Sequence, residues 1–194
     1  MAAGPVTILL TNFNGLANLQ ACLPGVLVAA SRGDIPCDVL LVDDGSTDES
    51  VSWLARHHPQ VKVVAQPTNG GFLAAANAGF AAATTCHVAL LSNDMVPRAD
   101  FLSVLLPHFA DPSVFAVASC LGDPAGRPEG GRSVGLFLAG TLYVRPLVKA
   151  IGTRNVFSAS TVDQMPKHVS SGLMFGYPLV GDFRRRLCAL DGEP

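Results

Sequence analysis

No C-x-x-C pair, no basic leader and no unbroken apolar run of bilayer length occurs in this chain. Each absence excludes a class. The five cysteines, Cys22, Cys37, Cys86, Cys120 and Cys188, are odd in number and scattered. They read as small buried hydrophobes in a reducing compartment, which argues against a disulfide framework or a zinc site. The opening "MAAGPVTILL" lacks a basic flank and a long apolar region, so no signal peptide is expected. The apolar stretch from Phe72 to Leu91 is interrupted by Asn77, Gly79, Thr84, Thr85 and His87. Its period changes midway, as for a helix followed by a buried strand rather than a membrane span. A formal charge of −2 leaves no electrostatic footprint for nucleic acid. No internal repeat and no extended low-complexity tract is visible.

What is present is a core. Apolar residues make up 49% of 194, and mean hydropathy is +0.37, enough for one domain of ordinary size. Short β-rich runs recur at "PVTILLT" (5–11), "CDVLLVD" (37–43), "VKVVAQ" (61–66), "HVALLS" (87–92) and "SVFAVAS" (113–119). Helical spacing lies between them. Leu16, Leu19, Leu23, Val26 and Leu27 mark a helix over 16–30, with Pro24 as a potential kink. Ser46 followed by Glu49 is a capping-box pattern opening a helix that Pro59 stops. "GGFLAAANAGFAAA" (70–83) is a glycine-opened helix, and a fourth starts near Asp100 and Phe101. The continuous apolar strands suit a parallel sheet covered on both faces. The expected class is therefore α/β with a mostly parallel central sheet flanked by helices, Rossmann-like.

In such a sheet, ligands gather outside the carboxyl ends of the strands. Three polar clusters fall there: "TNFNG", "DDGSTD" and "SND". A fourth, "QPTNGG", precedes the third helix. A carboxylate after the second strand can accept from a nucleobase imide or a ribose hydroxyl. The amides opening a helix at Gly70 and Gly71 can face a phosphate. Asp94 beside Asn93 offers oxygen to Mg²⁺ or Mn²⁺, which would bridge to a diphosphate and neutralise it as it leaves. Each cluster also has a plainer reading as a turn or helix cap; their convergence on one rim is what favours a site. His57, His58 and Trp53 read as a helix end and a packing residue.

The ordered set "VTILLTNFNG", "VLLVDDGSTDES", "PTNGGFLAAANAGF" and "VALLSNDMVPRADFL" resembles the donor-binding half of a family 2 glycosyltransferase with the GT-A fold, over about Val6 to Cys120. The resemblance implies roles. Thr11 and Asn12 would lie against the base or ribose. Asp44 would accept from the base imide, with Asp43 supporting it. Gly70, Gly71 and Asn77 would line the nucleotide pocket. Ser92-Asn93-Asp94 stands where the family carries a D-x-D-like motif. The first acid is missing, as in the N-D variants of rhamnosyl- and N-acetylhexosaminyl-type members. Asp94 would then be the main metal ligand, and Asn93 would sit nearer the sugar or ribose.

Residues 1–121 are thus expected to form the nucleotide-sugar-binding half, and 122–194 a poorly matched segment. "VGLFLAGTLYV" there suits a strand pair or a short helix. An inverting transferase needs a base for the acceptor hydroxyl. Neither an E-D-x-D-like stretch nor a "GGFDE"-like turn is found, which leaves Asp182 as the candidate, then Asp163. The resemblance implies transfer from a nucleotide-diphosphate sugar to a glycan or lipid-linked acceptor. The location implied is cytoplasmic, at the inner face of the membrane, with peripheral membrane association. The alternative is a catalytically incompetent donor-binding fragment from a truncated or frame-altered gene. A nucleotidyltransferase is disfavoured because "NFNGLANLQ" has no lysine or arginine, and a dehydrogenase because no G-x-G-x-x-G follows the first strand.

Overall fold

The computed structural model describes residues 4–32 and 34–110, and after them only the segments given below. The first half alternates strand and helix: β1 (Val6–Asn12), α1 (Leu16–Ser31), β2 (Cys37–Asp43), α2 (Ser50–His57), β3 (Lys62–Ala65), α3 (Phe72–Ala82), β4 (His87–Ser92) and α4 (Phe101–Leu105). β1 pairs in parallel with β2 and with β4, and β2 pairs in parallel with β3. The expected parallel α/β sheet is therefore present. The 72–91 stretch is a helix and a strand, and among the described residues no helix is long and apolar enough to cross a membrane.

Strand periodicity divides the core in two. Val6, Ile8 and Leu10 of β1, Val39 and Leu41 of β2, and Ala89 and Leu91 of β4 face the side covered by α1, α2 and α4. Leu9, Leu40, Val42, Val88 and Leu90 face the side covered by α3. On α1, Leu19, Cys22, Leu23, Val26 and Ala29 are buried, the three-and-four spacing of one helical stripe. Pro24 does not break this helix: it points outwards, where water can replace the lost backbone bond. On α3 the buried stripe is Ala75, Ala76, Gly79 and Phe80. Burying a leucine such as Leu9 contributes about 2 kcal/mol.

Several local expectations change. α2 starts at Ser50, with Glu49 at its cap position and no side-chain cap bond, so Ser46 caps no helix. α4 is short and passes into a 3-10 turn over Leu106–Ala110, because Pro107 has no N–H to continue the α pattern. Cys22 is buried as expected, Cys37 is half-buried, and Cys86 is exposed. Burial pushes the Cys22 and Cys37 thiols up to about 11.

The later strands are β5 (Val114–Ala118), β6 (Leu121–Gly122), β7 (Pro128–Gly130), β8 (Ser133–Leu138), β9 (Thr141–Pro146), β10 (Asn155–Ser158) and β11 (Leu179–Gly181); β5, β10 and β11 extend the central sheet, and β6–β7 and β8–β9 form two separate two-stranded sheets. The seven-stranded order is β10-β5-β11-β4-β1-β2-β3. β11 runs antiparallel between β4 and β5. This is an addition that the weak periodicity after Arg145 did not reveal. β8 and β9 form an antiparallel pair, one of the two readings open for "VGLFLAGTLYV".

Candidate functional site

The site is built at the carboxyl ends of β1, β2 and β4. Side chains alternate along a strand, and this decides where the two acids of "DDGSTD" go. Leu41 faces α1, so Asp43 does too; Val42 faces α3, and Asp44 follows it. Both are buried, 2% and 4% exposed, with no basic side chain bonded to either among the described residues. Buried carboxylates then depend on hydrogen-bond donors.

Asp43 has three. Asn12 Nδ2 donates at 2.9 Å, Ser46 N at 2.9 Å and Ser46 Oγ at 2.6 Å. Ser46 Oγ also accepts the Asn14 amide at 2.8 Å. Asn14, at φ 46°, is a residue type that tolerates the left-handed region. Its Oδ1 accepts from the amides of Thr47 and Asp48 at 2.7 and 3.2 Å. The Asp48 carboxylate takes the Leu16 amide at 3.0 Å and the Ser50 amide at 3.0 Å, at the openings of α1 and α2. Partial burial pulls the Asp48 carboxyl up, but hydrogen bonding from Ser50 and the Leu16 amide outweighs it, so its pKa lies below the usual value.

Asp44 behaves differently. Its two oxygens take the amides of Gly70 at 2.9 Å and Gly71 at 2.8 Å, just before α3. The amides expected to face a phosphate are thus used by the protein. Gly45 makes this approach feasible. It sits at φ +73°, and a Cβ there would lie 2.6 Å from the Thr68 carbonyl carbon and 2.7 Å from the Asn69 nitrogen.

The third tip joins through an amide pair. Asn93 Nδ2 donates to Asn12 Oδ1 at 2.7 Å, so Asn93 faces Asn12 across the rim. Thr11 is buried beside them, in register with Val42 and Ser92. Asp94 is exposed and forms no hydrogen bond or ion pair with a described residue. Its charge reaches Cys22 of α1 and adds to the rise of that thiol. Val96 lies against Gly25 of α1, so the segment after β4 drapes over that helix.

Thr11, Asn12, Asp43, Asp44, Gly70, Gly71, Asn93 and Asp94 therefore share one rim. Asp44 and Asp94 follow strands β2 and β4, which are separated only by β1 and so lie about 10 Å apart. Asn77 is exposed in the second turn of α3, off the stripe packed on the sheet, and makes none of the rim's hydrogen bonds described above. Asp163 and Asp182 lie outside the described residues. Asn14, Ser46 and Asp48 bind the rim together, and the sequence reading missed them. Their signal was the density of Asn, Ser and Asp in two loops after neighbouring strands.

No group of three or more His, Cys, Asp or Glu that could hold a metal occurs among the described residues. One free, exposed carboxylate fits a cation that draws its remaining ligands from phosphate and water, as Mg²⁺ commonly does.

A family model for glycosyl transferase family 2 matches residues 7–158, well past the Cys120 limit read from the motifs. Pre-mycofactocin glycosyltransferase of Mycobacterium tuberculosis is 38% identical over 115 residues, 58% of this chain and 23% of that protein. An uncharacterized glycosyltransferase of Nostoc sp. is 34% identical over 116 residues, 58% of this chain and 35% of that protein. Among solved structures, the mannosyltransferase PcManGT from Pyrobaculum calidifontis, in complex with GDP-Man and Mn²⁺, superposes with a TM-score of 0.55 at 26% identity. It covers 64% of this chain and 37% of that one. The chain thus spans 23% to 37% of the length of these proteins.

Proposed function

Since the chain belongs to glycosyl transferase family 2, we propose that it transfers a sugar from a nucleotide-diphosphate donor to an acceptor hydroxyl, with inversion at the anomeric carbon. The observation that carries this reading is the rim itself. Loops from separate strands converge there, and Asp94, a carboxylate with no partner among the described residues, projects from it. The P. calidifontis mannosyltransferase, with GDP-Man and Mn²⁺ bound, supports a nucleotide-sugar donor and a divalent cation for this chain too.

In this reading Asp94 holds Mg²⁺ or Mn²⁺ together with the donor diphosphate. The cation would supply charge neutralisation of the leaving diphosphate. Thr11 and the rim of β1 and β2 receive the nucleoside. Asp44 keeps acceptor capacity beyond the two glycine amides, since each carboxylate oxygen carries two lone pairs, and takes the base imide. A carboxylate removes the acceptor proton as the oxygen attacks, and Asp182 is the candidate for it. The acceptor is a glycan or a lipid-linked acceptor, reached from the cytoplasmic side of a membrane.

The test is calorimetry of the full chain with UDP and GDP, each with and without Mn²⁺. Binding of one of them that requires the metal supports the donor site, and binding of neither sinks it. Release of the diphosphate from a sugar-nucleotide, only when acceptor is added, then separates transfer from donor binding alone.

A further inference from the structure

Asn12 joins the β2 and β4 tips, and the direction of its hydrogen bonds is constrained. Asp43 takes Asn12 Nδ2 and both donors of Ser46. A carboxylate accepts and does not donate. The Asn12 carboxamide must therefore turn its nitrogen to Asp43, which leaves its oxygen towards residue 93. Whatever stands there has to donate, and Asn93 Nδ2 does. Asn12 is buried, and Gly15 packs against the pair. A Cβ on Gly15 would collide with Asn93 Nδ2 and lie 2.6 Å from Asn12 Oδ1, so neither amide can swing towards that side. A carboxylate at 93 would meet Asn12 oxygen to oxygen.

We propose that Asn12 is a positioning residue. The polarity of the Asp43–Asn12–Asn93 relay requires an amide, in place of an acid, immediately before Asp94. The relay also sets the β4 tip so that Asp94 meets the cation. That last step rests on the donor-site reading above; the relay itself does not.

The test is a cycle of Asn93→Asp, Asp43→Asn and the double variant, in the full chain. The double variant reverses the relay: an amide at 43 donates to Asn12 Oδ1, Asn12 turns its nitrogen to the new carboxylate, and the net charge is kept. Thermal midpoint reads the relay without ligand, and calorimetry with UDP or GDP plus Mn²⁺ reads the site. Each single change is expected to lower the midpoint and to weaken Mn²⁺-dependent binding about tenfold or more, as supporting residues around metal sites do. The double variant is expected to recover most of both. Unchanged or tighter binding in Asn93→Asp, as for a simple vacant ligand position, overturns the proposal. So does a double variant whose loss is the sum of the single losses. If the parent binds neither nucleotide, the donor reading fails, while midpoint coupling still supports the relay and additivity still overturns it. If the single variants do not fold, a cooperative transition in the double variant supports the proposal, and its absence overturns it.

Discussion

Asp43 and Asp44 share a peptide bond and little else. Asp43 looks towards α1 and is held by a side chain from β1 and by Ser46 of its own loop. Asp44 looks towards α3 and is held by backbone amides of a loop 26 residues further on. One acid ties strand tips together and the other fixes a helix entry. Adjacent acids at the end of a strand are therefore two separate devices, because the pleat sends them to opposite faces. Asp94 is a third case: exposed, with no partner among the described residues.

Four substitutions sharpen that contrast. Asp94→Ala should reduce Mn²⁺-dependent nucleotide affinity by more than about 100-fold, exceeding the loss typical of supporting residues, with the thermal midpoint unchanged. Calorimetry and a melting curve check this together, and a large fall in midpoint would move Asp94 into the structural class of Asp43. Asp43→Ala strands the Asn12 and Ser46 donors in a buried place, so about 3 kcal/mol of stability should be lost, read by urea unfolding. Asp44→Ala should cost less, about 1–2 kcal/mol, because Gly71 N keeps a second acceptor in Asn69 Oδ1 at 3.0 Å. Its hydrogen exchange should quicken only near the start of α3, and nucleotide binding should weaken. Equal costs for the two acids would erase the distinction.

The smallest effect is at Asp48. Its folded pKa lies below the ordinary value, so the unfolded chain binds its proton first as pH falls. Its stabilising share is present above about pH 4 and fades as pH drops through the lowered folded value. Asp48→Asn should flatten the acid limb of midpoint against pH, modestly, since solvent screens the group.

Strands and their order of appearance were legible because continuous apolar runs such as "VLLV" and "VALL" survive any tertiary context. The rim was legible as a place, since polar clusters after strands in an α/β chain have only one edge to occupy. Its wiring was not. Ser46 followed by Glu49 matches a cap locally, yet Asp43 and the Asn14 amide claim the hydroxyl instead. The glycine amides before α3 suit an anion, and the anion is Asp44. Apart from the local Asp43–Ser46 bond, this competition is decided by residues 26 to 81 positions apart, beyond what local pattern encodes. The motif places Asn77 near the nucleotide, and helix phase leaves it exposed, off the face packed on the sheet.

β11 has a consequence for biosynthesis. Leu179–Gly181 slots between β4 and β5, so one flank of β4 stays open until that part of the chain leaves the ribosome. An open flank of unpaired peptide groups invites pairing with a neighbouring nascent chain, and so distant a closure is slow. A chaperone holding the emerging chain would be most useful in the interval between translation of residue 92 and residue 181.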